Sequence, residues 1–379
     1  MEKKIRIAYL IDTISSDKAG TEKQLLNIIG QLDRDNFEIT LICLHASPWM
    51  LRNRLQCEVV TLEYRGFLKP GFPAVLWRYL RVLREKQFDV VQTFFEDAIF
   101  VGYLGKMLSK HRHSLVISRR DLGLGADEPG YHRIYKKIMP FIIRSVDGIA
   151  TNAWAIKNHI VEKCKVPTEI IQVIGNGLDL PTKHREAPLL FREYHADLWV
   201  GIVANLKPVK RIDLFLRALA HLKTCETGKG FRAVVLGEGH LRSELVQLAT
   251  ELGIADRVHF IGTTDNVSDY LYGIDIGVLC SDKEGLSNAI MEYMACALPV
   301  VATAVGGNCE LVDVMNGICV PAGDYMALGT ALEMLASSAS LRKTLGAKSL
   351  EKVRNSSTWD KITPQWERYY RVLEGRLNC

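Results

Sequence analysis

Short apolar runs rich in β-branched residues alternate along this chain with longer segments whose apolar residues recur at helical spacing. The alternation predicts parallel sheets with helices on both faces, because each parallel strand must reach the next through a crossover. In the first half of the chain we predict strands at 5–12, 37–44, 89–93, 114–118 and 147–151, and helices at 21–32, 73–85 and 98–108.

The alternation stops over residues 178–194, a polar stretch that contains Pro181 and Pro188, and then begins again. A chain of 379 residues is long enough for two domains, each with a full core. We therefore predict doubly wound α/β domains over 1–178 and 179–355, and a last helical segment over 356–379 that is capped by Thr358. In the second half the predicted strands are 198–204, 231–236, 258–261 and 274–280, and the predicted helices are 212–222, 241–252 and 359–373.

Charge and cysteine content argue against several classes of protein. The 48 Lys and Arg residues and 43 Asp and Glu residues leave a net charge of +5, which is too small to indicate a nucleic-acid partner. The nine cysteines form no C-x-x-C pair, which favours reduced buried thiols over a disulfide framework or a zinc site. The N-terminal sequence MEKKIRIAYLID lacks a signal-peptide pattern, and no uncharged stretch is unbroken enough to span a bilayer. We expect a cytoplasmic protein, at most peripheral to a membrane.

Ligands of doubly wound sheets bind at the carboxyl ends of strands, so residues that follow strands are the candidates. Gly237 and Gly239 follow a predicted strand like the start of a dinucleotide fingerprint, but Arg242 replaces the third glycine. This favours a phosphate or nucleotide near that helix over a nicotinamide cofactor. Asp33 and Asp35 have the spacing of a metal-binding pair but precede a strand, so we interpret them as a solvated loop and predict no metal site.

The strongest group of candidate residues lies between Glu284 and Glu292, after a predicted strand. Glu284 falls in a polar loop, Ser287 or Asn288 caps the helix that follows, and Glu292 lies about one turn into that helix. A helix N-terminus flanked by two carboxylates suits a diphosphate whose sugars are held by hydrogen bonds. A surface position is less attractive for Glu292, because its neighbours are apolar. The predicted donor-binding residues here are Glu284, Gly285, Leu286, Ser287, Asn288 and Glu292.

Two further loops follow strands and carry candidate anion-binding residues. Lys207, Lys210 and Arg211 stand close together after the strand that ends near Asn205, and they indicate an anion site, with an exposed basic loop as the alternative. Gly20 lies between the first strand and the first helix, where either a ligand approaches the backbone closely or the chain simply turns.

Together these residues resemble the retaining glycosyltransferases of family 4, which have the GT-B fold. Glu284 and Glu292 match the family's E-x7-E motif. The other matching segments are VANLKPVK, VLGEGHLRSEL, RVHFIGTTDNV and VGGNCELV in the second domain, and AGTEKQL and VIGNGLD in the first. The resemblance implies two Rossmann-like domains that face each other across a cleft, with a C-terminal helix that returns to the N-terminal domain.

The resemblance also implies roles for individual residues. Glu292 would bind the ribose of the donor and Glu284 the hydroxyls of the transferred sugar. Lys210 would neutralise the departing diphosphate, helped by the backbone at Gly20. The displacement would occur on one face of the sugar, and the leaving phosphate would take the proton of the acceptor. The nucleotide sugar is then a substrate, and neither a cofactor nor a metal is expected.

Two positions depart from the family pattern. Asn205 stands where the family usually has arginine, and Lys207 is the candidate to supply that charge. Arg120 stands where many members have histidine near the reacting centre. We predict that Lys210, Glu284 and Arg120 are catalytic. The remaining predicted donor contacts are Gly20, Asn205, Lys207 and Gly237, and the acceptor would be bound around residues 94–97 and 119–130 by Glu96, Arg119, Arg120 and Asp121.

Charge is distributed unequally between the two predicted domains. The excess of basic over acidic residues lies in residues 1–178. Two segments there, 69–86 and 132–144, interleave basic with apolar residues. Such segments either dock on an anionic membrane or pack on the sheet with solvated basic faces.

The predicted function is transfer of a sugar from a nucleotide sugar, with uridine as the expected base, to a glycan or lipid-linked acceptor. The pathway would be polysaccharide, lipopolysaccharide or glycolipid synthesis. Two alternatives stay open: a sugar-nucleotide epimerase, and a non-catalytic glycan- or nucleotide-sugar-binding protein.

Overall fold

The chain forms two parallel sheets, each with its own helices and its own core. The computed structural model describes residues 3–121, 132–181, 188–194, 196–228 and 230–377. Contacts divide it into an N-terminal unit, Met1–Gly177 with Trp359–Cys379, and a C-terminal unit, Leu178–Thr358.

Before residue 177, the described part of the N-terminal unit contains seven strands and six α-helices. The strands are β1 Ile5–Ile11, β2 Phe37–Cys43, β3 Glu58–Thr61, β4 Val90–Phe94, β5 Ser114–Arg119, β6 Gly148–Thr151 and β7 Ile171–Val173. The helices are α1 Gly20–Gln31, α2 Pro48–Arg52, α3 Phe72–Lys86, α4 Glu96–Leu108, α5 His132–Arg144 and α6 Trp154–Cys164. The strand order is β3-β2-β1-β4-β5-β6-β7.

The C-terminal unit has the same construction with six strands. They are β8 Leu198–Val203, β9 Phe231–Leu236, β10 Val258–Gly262, β11 Ile276–Leu279, β12 Val300–Thr303 and β13 Gly317–Val320, in the order β10-β9-β8-β11-β12-β13. The helices are α7 Leu190–Glu193, α8 Ile212–Thr224, α9 Arg242–Glu251, α10 Val267–Leu271, α11 Asn288–Ala295, α12 Asn308–Leu311, α13 Tyr325–Ala336 and α14 Ala339–Ser356. The predicted fold class, two doubly wound Rossmann-like domains, is confirmed.

Each sheet has one place where the order of strands reverses along the chain. In the N-terminal unit it lies between β1 and β4, and in the C-terminal unit between β8 and β11. The crossovers on either side of such a point run in opposite directions, so a crevice opens beyond the carboxyl ends of the two strands. These two points are therefore where each unit is built to hold a ligand.

The last helix, α15 Trp359–Leu377, completes the core of the N-terminal unit. Trp366 and Tyr370 are buried in the same core as β1. The Tyr370 hydroxyl lies 2.9 Å from that of Tyr9 and donates to Gln92 Oε1 at 2.7 Å. A helix from the far end of the chain thus covers the centre of the first sheet. The hydroxyl of Thr358, the predicted cap, donates to the carbonyl of Arg354 at 3.2 Å, and its capping role stays a prediction.

Several strands had no clear pattern in the sequence. β3 lies at a sheet edge with mostly exposed residues, so it lacks the apolar run expected of a buried strand. β7 has only three residues. Short or exposed strands therefore acquire their conformation from the neighbour they pair with.

Cys309 and Cys319 form a disulfide with their Cα atoms 6.3 Å apart. The expectation that all the thiols are reduced is wrong for this pair. The two cysteines are ten positions apart, and the turn between α12 and β13 brings them together, which their spacing alone does not reveal. The other six cysteines of the described ranges are free.

His113, just before β5, makes the stability of the fold sensitive to acid. Burial lowers the pKa of His113 from 6.5 to about 4. The fold therefore holds this ring neutral, and its contribution to stability is complete above pH 6.5 and lost as the pH falls toward 4.

We expect His113→Gln to remove about 3 kcal/mol of the acid-dependent loss of unfolding free energy between pH 6.5 and 4. Urea denaturation across that range measures it. His45 is exposed, so His45→Gln is the matched control and should follow the wild-type curve. Parallel curves for His113→Gln and the wild type would refute the assignment.

Candidate active site

At the reversal point of the C-terminal sheet, a lysine and a glutamate from the loops that follow two adjacent strands form an ion pair. Lys210 follows β8 and Glu284 follows β11, and Lys210 Nζ lies 2.5 Å from Glu284 Oε1. The Ser281 hydroxyl donates to the same carboxylate oxygen at 2.6 Å. The side chains of Lys210 and Glu284 are only 24% and 11% exposed. Limited exposure strengthens their electrostatic action on any ligand beside them.

The loop that carries Lys210 is held by short-range structure. Pro208 begins a 3-10 turn that ends at Lys210, and Arg211 then adopts a left-handed conformation with φ 49°. The Arg211 guanidinium pairs with Asp213 at 3.0 Å and with Asp282 at 3.2 Å. Because Asp282 lies in the loop after β11, this contact ties the two loops of the ion pair together.

A third loop, after β12, packs against the backbone of Glu284 and Gly285. The amide of Gly307 donates to the carbonyl of Gly285 at 2.7 Å. Gly306 has φ 52°, and a Cβ added there would lie 2.0 Å from the carbonyl oxygen of Glu284. Only glycine fits this position, both for its backbone angle and for its space.

Helix α11 begins beside the ion pair and carries Glu292. Ser287 is its N-cap and accepts a hydrogen bond from the Ile290 amide at 3.3 Å, which decides between the two caps that the sequence allowed. Glu292 is half-buried on this helix, between the buried Met291 and Tyr293. The positive end of the α11 dipole thus lies at the same edge of the sheet as Lys210.

The two glycines after β9, Gly237 and Gly239, occupy positions that have no space for a side chain. Gly237 has φ 134°, and a Cβ there would lie 2.1 Å from the carbonyl oxygen of Ala204. A Cβ at Gly239 would lie 2.3 Å from the carbonyl oxygen of Leu206. The loop after β9 therefore packs backbone to backbone on the loop after β8, where Asn205 and Lys207 are exposed. The donor-binding roles of Gly237, Asn205 and Lys207 stay predictions.

A small pocket in the N-terminal unit gathers the predicted acceptor residues. It is lined by Thr21, Phe94, Phe95, Glu96, Ser118, Arg119, Arg120 and Asp121. Gly20 is the first residue of α1, next to Thr21, and its backbone angle is not one that requires glycine. Residues 122–130 of the predicted acceptor segment lie outside the described ranges.

The two arginines of this pocket differ in their partners. Arg119 pairs with Glu96 at 3.2 Å and with Asp121 at 3.4 Å. Arg120 donates to the amide oxygen of Asn176 at 2.8 Å and lies over the ring of Phe94. Burial lowers the pKa of Arg120 to about 10, so the guanidinium is still charged at neutral pH.

Two acidic residues at the N-terminal reversal point are absent from the sequence predictions. Asp12 follows β1, and its carboxylate accepts from the amide of Ala98 at 3.1 Å. Burial, followed by repulsion from Asp97, raises the pKa of Asp12 to about 7. Glu22 on α1 accepts from the amides of Ser15 and Ser16 at 2.7 and 2.9 Å and so holds the loop before that helix. The position of Asp12 directly after the first strand was the available signal.

Within the described ranges, one group of side chains has atoms close enough together to hold a metal ion. It consists of His221, Cys225 and Glu333, whose ligand atoms all lie within 4.8 Å of one another. His221 and Cys225 stand at the opposite end of α8 from Lys210. A search for histidine pairs misses this group because its ligands are of three types.

The basic segment 69–86 largely coincides with α3. Val75, Tyr79 and Leu83 are buried and pack α3 onto the unit, while Arg78 and Lys86 form ion pairs with Glu63 and Glu58. Trp77 is exposed. Of the second segment, residues 132–136 have side chains outside the described set. No helix in the described part of the chain is long and apolar enough to cross a membrane.

Two family models match the chain, one in each half. The model described as Glycosyltransferase Family 4 matches residues 19–181, and the model described as Glycosyl transferases group 1 matches residues 197–338. Their boundary falls close to that of the two units.

Relatives of similar length have glycosyltransferase names. The N-acetyl-alpha-D-glucosaminyl L-malate synthase of Bacillus anthracis is 26% identical over 331 residues, which is 85% of each chain. The lipopolysaccharide core biosynthesis glycosyltransferase LpsD of Rhizobium meliloti is 26% identical over 353 residues, covering 91% of this chain and 93% of that one.

A solved structure shares the fold across both units. Anabaena Alr3699/HepE in complex with UDP has a TM-score of 0.80 at 20% identity, and the match covers 97% of this chain and 100% of that one. The resemblance seen in the motifs is thus confirmed by family models, by relatives and by fold. The chain carries a Glycosyltransferase Family 4 domain over residues 19–181 and a Glycosyl transferases group 1 domain over residues 197–338.

Proposed function

We propose that this glycosyltransferase moves a sugar from a uridine diphosphate sugar to a glycan or lipid-linked acceptor, with retention of the anomeric configuration and without a metal ion. The observation that carries the proposal is the ion pair of Lys210 and Glu284 at the reversal point of the C-terminal sheet. It sets a cation, a carboxylate and the start of α11 at one edge, which suits a diphosphate joined to a sugar.

The chemistry required of the protein is mainly electrostatic. The bond between the anomeric carbon and the phosphate oxygen breaks, and its electron pair leaves with the diphosphate. The acceptor oxygen forms the new bond on the same face, and its proton passes to the departing phosphate oxygen. No protein nucleophile takes part. Lys210 would stabilise the charge that develops on the diphosphate, because it is already oriented by Glu284 before the reaction starts.

Glu284 would also orient the transferred sugar, and Glu292 the ribose. Glu284 is held by Ser281 and Lys210, so its carboxylate has a defined direction. Glu292 stands on α11, whose first turn is fixed by the Ser287 cap. Side chains locked by such contacts bind a ligand without a large loss of conformational freedom.

Uridine is supported by the structural neighbour, which contains UDP. Polysaccharide or lipopolysaccharide synthesis is supported by the LpsD relative. We propose that the acceptor binds the N-terminal unit at the pocket of Glu96, Arg119, Arg120 and Asp121. Reversible contact with the inner face of the cytoplasmic membrane through the basic segments is part of the same proposal.

Binding of UDP and slow hydrolysis of a panel of nucleotide sugars test the donor assignment. We expect UDP to bind the wild type, and Glu292→Gln to weaken it about tenfold to hundredfold, since a hydrogen bond to a charged group contributes about 1.5–3 kcal/mol. Calorimetric titration measures the affinity. Glu244→Gln is the control, because Glu244 is an exposed glutamate in the first turn of α9.

Equal UDP affinity in the wild type and in Glu292→Gln would refute the role of Glu292. Absence of UDP binding would refute the donor base. Sugar analysis of the hydrolysis product separates two activities: an unchanged sugar supports transfer, and a 2-epimer identifies an epimerase instead.

A further inference from the structure

Arg119 and Arg120 are neighbours in the pocket of the N-terminal unit, and within the described ranges carboxylates pair with Arg119 alone. Arg119 is 12% exposed and lies between two carboxylates, Glu96 and Asp121. Its charge is therefore balanced by the protein itself. Any ligand of this pocket would interact with Arg119 as part of an existing ion-pair network.

Among the described residues, Arg120 has no such balance. It contacts the amide oxygen of Asn176 and the ring of Phe94, and no carboxylate in this part of the chain forms an ion pair with it. A guanidinium has five N–H donors, and one of them is used by Asn176. None of the described residues accepts a hydrogen bond from the remaining donors, and Arg120 lines the pocket.

The contacts around Arg120 also fix its position. Asn176 Oδ1, which accepts from Arg120, accepts at the same time from Asn152 Nδ2 at 3.2 Å. The next residue, Gly177, exchanges two hydrogen bonds with the side chain of Gln24, at 2.8 and 3.0 Å. Asn152, Asn176 and Gln24 are all buried. The partner of Arg120 therefore belongs to a network of hydrogen bonds between buried amide side chains and the backbone.

Another residue that lines the pocket has a strained backbone. Phe95, a pocket residue between β4 and α4, has φ 67°, an angle that costs free energy for a residue with a side chain. Strain of this kind persists where the surrounding structure enforces it, and it concentrates at ligand sites.

Arg120 is a half-buried cation with no counter-ion in the described ranges. Such a cation is costly, and a bound anion removes the cost. We propose that Arg120 binds an anionic oxygen group, a carboxylate or a phosphate, on the molecule that accepts the sugar. The inference rests on the proposed function, because it takes this pocket as the acceptor site. It goes further by assigning the acceptor to acids and phosphate esters and excluding neutral glycans at this subsite. The malate named in the Bacillus anthracis relative is a molecule of this class.

Calorimetric titration of the whole chain, saturated with UDP, tests this assignment. UDP occupies the donor site, so added anions report on the second site. The probes are L-malate, inorganic phosphate and neutral glycerol. We expect at least one anion to bind at least tenfold more tightly than glycerol, and the tighter of the two distinguishes a carboxylate from a phosphate acceptor.

Three variants complete the test. Arg120→Gln should weaken the anion at least tenfold while UDP affinity is unchanged, and Arg120→Lys should retain part of the binding because it keeps the charge. Arg112 is exposed before β5, so Arg112→Gln should behave as the wild type. If UDP binds but neither anion does, the inference about Arg120 is wrong and the donor proposal stands. The same holds if Arg120→Gln binds the anion as tightly as the wild type. Anion binding at Arg120 without UDP binding overturns the donor proposal instead.

Discussion

Lys210→Ala is expected to lower the turnover number about 10²- to 10³-fold. The variant lacks the cation that we propose to stabilise the departing diphosphate, and removal of one preorganised donor to a developing anion typically has an effect of this size. Glu284 is 11% exposed and would also lose its charged partner. Glu284→Ala should lower turnover by a similar factor, because the sugar loses its carboxylate and Lys210 loses its orienting contact.

Steady-state assays on the purified variants, with circular dichroism to establish folding, measure these losses. Lys283→Ala is the matched control: Lys283 is exposed and directly precedes Glu284, so turnover should stay within about twofold of the wild type. Near-normal turnover in folded Lys210→Ala or Glu284→Ala would exclude the ion pair from the reaction.

Gly306→Ala is expected to destabilise the fold and to weaken UDP binding. The added Cβ would lie 2.0 Å from the carbonyl oxygen of Glu284, so the loop after β12 or the loop after β11 must move. Since φ at this position is 52°, alanine also adds backbone strain. We expect a loss of unfolding free energy above about 2 kcal/mol and a fall in UDP affinity.

Gly323→Ala separates the two causes. Gly323 has φ 82° but nothing within 4 Å of an added Cβ, so alanine there adds backbone strain alone, about 1–2 kcal/mol. Urea denaturation gives the free energies, and titration gives UDP affinity. If both variants lose the same stability and both keep UDP affinity, the contact between Gly306 and Glu284 does not support the site.

Much of the fold follows from local pattern, because buried parallel strands and amphipathic helices leave periodic apolar residues in the sequence. Residues that follow central strands could be located for the same reason, and this brought out Lys210, Glu284 and the helix with Glu292. Their arrangement in an ion pair required the strand order, which places β8 beside β11 although 73 positions separate Val203 from Ile276 along the chain.

Other features depend on contacts that no short pattern records. The Cys309–Cys319 disulfide depends on a turn between two short elements. The raised pKa of Asp12 depends on its burial and on repulsion from Asp97, which is far away in the sequence. The contrast between Arg119 and Arg120 depends on which carboxylates reach each guanidinium, and two adjacent arginines look alike in a sequence.

The position of α15 has a consequence for how the chain is made. The C-terminal unit is continuous in sequence, whereas the core of the N-terminal unit needs Trp366 and Tyr370 from the last helix. During synthesis the second unit can therefore close while Tyr9 and its neighbours in the first sheet still lack their cover. The unit that is translated first is therefore completed last. Until α15 has been made, the apolar surface that it will cover is open to aggregation and to chaperones.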